Sequence, residues 1–110
     1  MDDERTDLFP VIDGLWQWLE TTQPETAGRE GLLLRLLKLS EEVGEVAEAV
    51  IGATGQNPRK GVTHTWEDVE AELCDVAITA LVTLRTLTPE APQVFERHLA
   101  RVAARSRGGR

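Results

Sequence analysis

The sequence predicts an all-α protein: a four-helix protomer whose bundle is completed by homodimerisation. Three observations carry this reading. Apolar residues recur at three- and four-residue steps in each of four segments, and no stretch alternates in the manner of a strand. Turn-forming residues separate the four segments. Two of the helices are apolar nearly all round, and a chain of 110 residues offers each of them little else to cover it.

The first helix begins after Asp7, where Leu8, Val11, Ile12, Leu15 and Leu19 form one stripe. Pro10 is tolerated there because it falls in the first turn. Residues 21–28, with Pro24, read as a loop. The second helix is expected from Arg29 or Glu30 to Ile51. Its seam of Leu32, Leu36, Leu39, Val43, Val46 and Val50 alternates steps of four and three. Leu33, Leu34 and Leu37 lie elsewhere on its circumference. Residues 52–64 read as a loop on three glycines, Asn57 and Pro58. Thr65 then fits an N-cap, with Asp68 in capping-box position. The third helix covers residues 66–87, and its apolar stretch from Leu73 to Leu84 implies a buried element. Pro89 and Pro92 mark the next connection. The fourth helix, residues 91–105, carries Val94, Phe95, Leu99 and Val102 on one face. Residues 106–110 read as a disordered tail. The whole of 1–110 is expected to be one domain.

Composition narrows the function. Hydrophobic residues make up 41% and charged residues 28%, the balance of a globular protein. No apolar run approaches the roughly 20 residues of a membrane span. The acidic start lacks the basic region of a signal peptide, so a cytoplasmic location is expected and no membrane association. Cys74 is alone and reads as a small buried hydrophobe. The net charge of −7 opposes a nucleic-acid surface. That charge is uneven: nine carboxylates lie between Glu41 and Asp75, against Arg59 and Lys60, while five arginines follow from Arg97 on. An acidic middle invites a cation, and an arginine-rich end can attract phosphate.

Two carboxylate clusters stand out. Glu41, Glu42, Glu45 and Glu48 fall within about a third of a helix circumference, so neighbours three or four apart can share an ion. Such a cluster is most often a solvated face, but here few cations relieve its repulsion. Glu72 and Asp75 form a second pair, three apart. Asp75 sits in the apolar run LCDVAI, where a carboxylate should be paired, protonated or metal-bound. Oxygen ligands select a hard cation, Mg²⁺ with Mn²⁺ as a possible substitute. A di-iron bundle would need two Glu-x-x-His pairs. His64 lies in a loop and His98 is preceded at i−3 by Phe95, so neither fits. His64 reads as a loop residue without a role, and His98 as a partly buried packing residue.

The segment KLSEEVGEVAEA (38–49), followed by ELCDV (72–76), resembles the MazG-type all-α nucleoside triphosphate pyrophosphohydrolases. That superfamily includes dimeric dUTPases and phosphoribosyl-ATP pyrophosphatase. Its hallmark is E-E-x-x-E, a spacer, then E-x-x-D, and the likeness covers residues 30–87. The resemblance implies that Glu42, Glu45, Glu72 and Asp75 hold Mg²⁺, with Glu41 as an auxiliary acid that orients water or binds a further ion. It implies hydrolysis of NTP or dNTP to the monophosphate and pyrophosphate, as nucleotide-pool house-cleaning, by attack of a metal-activated water on the α-phosphorus. Many members carry an asparagine and a basic residue three apart on the last helix, where this chain has Val102 and Arg105.

Four further side chains are substrate-binding candidates. Arg105, Arg59 and Lys60 can contact phosphates. Trp16 can stack on the base, as can Trp18 or Trp66. The expected partners are a nucleoside triphosphate and one or more further copies of the chain. Two other readings compete. A catalytically silent helical module could sense nucleotide or recruit a partner, and a plain dimerisation domain would leave Asp75 without a purpose.

Overall fold

The computed structural model describes residues 7–23 and 28–108. Among these, the structure is four α-helices without a strand: α1 (Leu8–Thr22), α2 (Gly28–Thr54), α3 (Trp66–Leu87) and α4 (Ala91–Ser106). The two long helices, α2 and α3, form the main pair; α1 packs on α3, and α4 touches α3 less. No helix among the described residues is long and apolar enough to cross a membrane.

Helix ends follow local hydrogen bonding. At the start of α3 the capping box is complete: Asp68 N–H donates to Thr65 Oγ1 (3.1 Å) and Thr65 N–H donates to Asp68 Oδ2 (2.9 Å). Helix α1 runs through Thr21 and Thr22, which sequence analysis placed in a loop. Thr22 Oγ1 donates to the Trp18 carbonyl at 2.6 Å, and Gln23 N–H to that of Leu19 at 2.9 Å. The rest of that expected loop, residues 24–27, lies outside the described residues. Helix α2 also runs past its expected end at Ile51. Gly55, with φ of +65°, supplies the left-handed C-terminal residue, not Gly52. Gly52 stays helical, and a Cβ there would strike the His64 ring and the Thr63 hydroxyl. Its lack of a side chain serves close packing instead of a turn.

Of the expected tail, Ser106 is helical, with its hydroxyl donating to the Ala103 carbonyl at 2.8 Å. Residues 107 and 108 form a turn, and 109–110 lie outside the described residues.

The face that α2 turns inward differs from the expected apolar seam. Buried Arg35, Glu42 and Ala49 and half-buried Leu32, Leu39 and Val46 form one stripe, again spaced by alternating threes and fours. Leu36 and Val43, expected in the seam, are 43% and 53% exposed. On helix α3, Val69 and Thr83 are buried and Glu72, Val76, Thr79 and Thr86 half-buried. Polar residues therefore occupy the main helix pair. The guanidinium of Arg35 meets Glu20 of α1 at 3.0 Å and donates to the Thr86 hydroxyl at 2.6 Å, tying three helices together.

The apolar core is correspondingly thin. Among the described residues its buried members are Ile12, Ala49, Val69, Val82 and Ala91. The middle of helix α3 is open on one side: Leu73, Cys74, Asp75, Ala77 and Ile78 are exposed, contrary to the buried helix expected there. Cys74 is thus no core residue in the protomer. Helix α4 anchors through Ala91 and through Phe95, whose ring lies 5.9 Å from that of Phe9. From Glu96 on the helix is exposed apart from half-buried Ala103, and His98, Leu99 and Val102 lie in this exposed part. His98 is therefore not the packing residue expected; its Nδ1 lies 3.3 Å from Arg101 Nη2.

Candidate metal and phosphate site

The α2 acids lie on two adjoining faces of the helix. Glu42 falls in the inward seam and is 8% exposed, while Glu41, Glu45 and Glu48 are exposed beside it. Lys38 Nζ lies 4.0 Å from Glu42 Oε2, one turn earlier on α2. Lys38 is well exposed, so this contact is weak. The other oxygen, Oε1, is buried and has no hydrogen-bond partner among the described residues. A carboxylate oxygen in that state is expensive unless a cation or water reaches it.

Across the helix pair stands Glu72, half-buried on α3. Partial burial raises its carboxyl above the ordinary value, and the charges of Glu45, Asp75, Asp68 and Glu42 raise it further. The two halves of the carboxylate pattern therefore act on one another electrostatically. Asp75 belongs to this group but is exposed, so burial is not what gives it significance. Among the described residues, no three of the His, Cys, Asp and Glu side chains already stand close enough to form a metal centre. Like charges at this spacing repel when nothing lies between them.

The loop after α2 builds a cleft of about 350 Å³ against the helix end, lined by Glu48, Gly52, Asn57, Lys60, Thr63 and His64 among others. Thr63 N–H donates to the Gly52 carbonyl at 3.0 Å, and the Asn57 carbonyl accepts from Lys60 N–H (3.1 Å) and Gly61 N–H (2.9 Å). Lys60 thus lines the cleft next to the acids, whereas Arg59 is exposed outside its lining. His64, expected as a loop residue without a role, lines this cleft with Lys60. The signal available was Gly52, a glycine inside a helix pattern where a neighbouring backbone or ring approaches.

The other two candidates stand apart. Trp16 is held by Arg85, whose guanidinium carbon lies 3.7 Å from the ring centroid. Trp16 also shares a cleft with Glu20, Leu32 and Thr86, at the end of the helix pair away from the acids. Trp18 instead borders a cleft of about 460 Å³ with Leu15, Lys38, Ile78 and Thr79, one turn from Glu42 and Asp75. Arg105 is exposed at the far end of α4, roughly 21 Å of helix rise beyond buried Ala91. No described contact brings it to the acids.

Comparison with protein-family models, with curated proteins and with solved structures finds no match for this chain.

Proposed function

We propose that the chain is a MazG-like, magnesium-dependent pyrophosphohydrolase that converts nucleoside triphosphates to monophosphates and pyrophosphate. Nucleotide-pool house-cleaning is the corresponding role. The carrying observation is the grouping of acids from both helices around Glu72: partial burial raises its carboxyl, and the charges of Glu45, Asp75, Asp68 and Glu42 raise it further. A site with this much unrelieved negative charge fits a divalent cation, and all its donors are oxygens. The buried, unpartnered Oε1 of Glu42 supports the same fit.

Glu42, Glu45, Glu72 and Asp75 would hold Mg²⁺, with Mn²⁺ as a substitute. When bound, the ion neutralises phosphate oxygens and lowers the pKa of water. Glu41, exposed beside Glu42, takes the proton of the attacking water or orients it. Lys60 steadies the outer phosphates. Arg59 and Arg105 remain candidates for the same task.

The proposed working form is a homodimer or higher homo-oligomer. Leu33, Leu34, Leu37, Val43, Leu73 and Ile78 are all more than 40% exposed in the protomer. Its radius of gyration is 17.3 Å, against about 13 Å for a compact globule of this length. Apolar faces of this extent are normally covered. Incubating the protein with a nucleotide panel and Mg²⁺ tests the activity. The reading expects equimolar pyrophosphate and monophosphate. Release of orthophosphate, or no turnover of any nucleotide, would leave the silent nucleotide-sensing module in its place.

A further inference from the structure

The cleft at the C-terminal end of α2 has a chemistry of its own. Glu48 stands one turn beyond Glu45, so the cleft continues the carboxylate ridge. Lys60 and His64 line it from the loop. Among the described residues neither Glu48 nor Lys60 takes part in an ion pair. An unpaired anion and an unpaired cation therefore share one cleft.

The loop side is held in place. Its backbone is tied to Gly52, and Asn57 Oδ1 accepts from Arg59 N–H at 3.1 Å. Thr63 Oγ1 lies 2.9 Å from His64 Nδ1. With the hydroxyl as donor, the imidazole carries its proton on Nε2. The absent side chain of Gly52 makes the room that the His64 ring occupies.

We infer that this cleft receives the pyrophosphate end of the substrate, with Lys60 and His64 contacting the β- and γ-phosphate oxygens. A magnesium-complexed polyphosphate carries both charges that the cleft leaves unpaired: oxygens for Lys60 and His64, and a cation for Glu48. The inference rests on the pyrophosphohydrolase reading and gives the substrate a direction along α2. The α-phosphorus lies at Glu42, Glu45, Glu72 and Asp75, the pyrophosphate lies towards Gly52, and the nucleoside lies towards Lys38.

Calorimetric titration of inorganic pyrophosphate with Mg²⁺, and separately of a nucleoside monophosphate, tests this on the intact protein. His64→Ala should weaken pyrophosphate binding by roughly tenfold, the loss of one hydrogen bond to a charged group, and leave the monophosphate unaffected. His64→Gln, which keeps an N–H donor, should recover part of the loss. Lys60→Ala should weaken pyrophosphate binding at least as much. Wild-type pyrophosphate affinity in both alanine variants, or weakening of the monophosphate instead, would overturn the assignment. If the wild type still hydrolyses nucleotides in that case, only this inference falls. If the wild type neither turns over nucleotides nor binds pyrophosphate, the functional reading falls with it.

Discussion

Arg35 Nη1 lies 3.0 Å from Glu20 Oε2 and 2.6 Å from Thr86 Oγ1, so one side chain of α2 holds both α1 and α3. Arg35 is 8% exposed and its second terminal nitrogen is buried without a partner among the described residues. Removing one member of a buried pair strands the other. Glu20 retains some solvent access, so Arg35→Ala should cost about 2–4 kcal/mol in urea denaturation. Arg35→Met, which fills the space without charge, should cost less than Arg35→Ala if Glu20 turns to solvent. Equal stability of Arg35→Ala and wild type would remove Arg35 as the clamp.

Arg85 forms the second tie between α1 and α3. Its Nε donates to Asp13 Oδ1 at 2.6 Å while its guanidinium covers Trp16. A planar cation serves both contacts, and an ammonium cannot. Arg85→Ala should lose about 1–2 kcal/mol and redden the tryptophan emission as the indole is uncovered. Arg85→Lys should recover little of this. Full recovery by lysine would mean that charge alone matters at this position.

Glu72 predicts how the metal-free protein responds to pH. Its carboxyl is raised in the folded state, so the folded chain binds that proton more tightly than the unfolded chain does. The stability gained is fully present below the ordinary value of 4.5 and is lost as pH rises through the folded value. Around neutral pH the charged carboxylate is therefore a burden. In EDTA, Glu72→Gln should melt above wild type at neutral pH, and the gap should narrow on acidification. A gap that widens towards acid pH would contradict the crowding of carboxylates.

The three candidate phosphate contacts should separate by position. Lys60 lines the cleft, Arg59 is exposed and not part of its lining, and Arg105 lies at the far end of α4. Lys60→Ala should raise KM or lower kcat by roughly tenfold or more, the value of a charge-assisted phosphate contact. Arg59→Ala should have a smaller effect. Arg105→Ala should affect turnover only if another copy in the oligomer brings it to the acids. Wild-type kinetics in all three would leave the metal as the main phosphate anchor.

Much of the helix plan could be read from the sequence, because local chemistry determines it. The Thr65–Asp68 capping box sets the start of α3, and the glycine-rich loop separates α2 from α3. The facing of α2 could not be read. Where Leu32, Leu33, Leu34, Leu36 and Leu37 surround a helix, periodicity does not choose which side turns inward. The inward side carries Glu42 and Arg35, and the partners of Arg35, Glu20 and Thr86, lie in distant sequence. The exposure of Asp75 is hidden in the sequence for a related reason. Its apolar neighbours imply burial, yet Leu73, Cys74 and Ile78 are exposed with it. Those neighbours mark an apolar face that is exposed in the chain. The pairing of Glu72 with the α2 acids was expected only from the family likeness, since spacing within each helix cannot bring two helices together. His64 escaped notice because its place depends on the missing side chain of Gly52.

The most direct test is pyrophosphate release by Asp75→Asn, read together with the Mg²⁺-dependent rise in melting temperature. Asparagine nearly preserves the side-chain volume, and Asp75 is exposed, so the fold should be unaffected. The substitution removes one charge from the set proposed to hold the ion. Wild type should gain stability on adding Mg²⁺, because the ion binds the folded site and not the unfolded chain. The variant should release pyrophosphate at least about 100-fold more slowly, equivalent to roughly 2.7 kcal/mol of barrier, and gain much less stability from Mg²⁺. Glu42→Gln, Glu45→Gln and Glu72→Gln should behave alike, and Glu48→Gln more mildly. Wild-type activity and an undiminished Mg²⁺ shift in Asp75→Asn would contradict a metal site shared by α2 and α3.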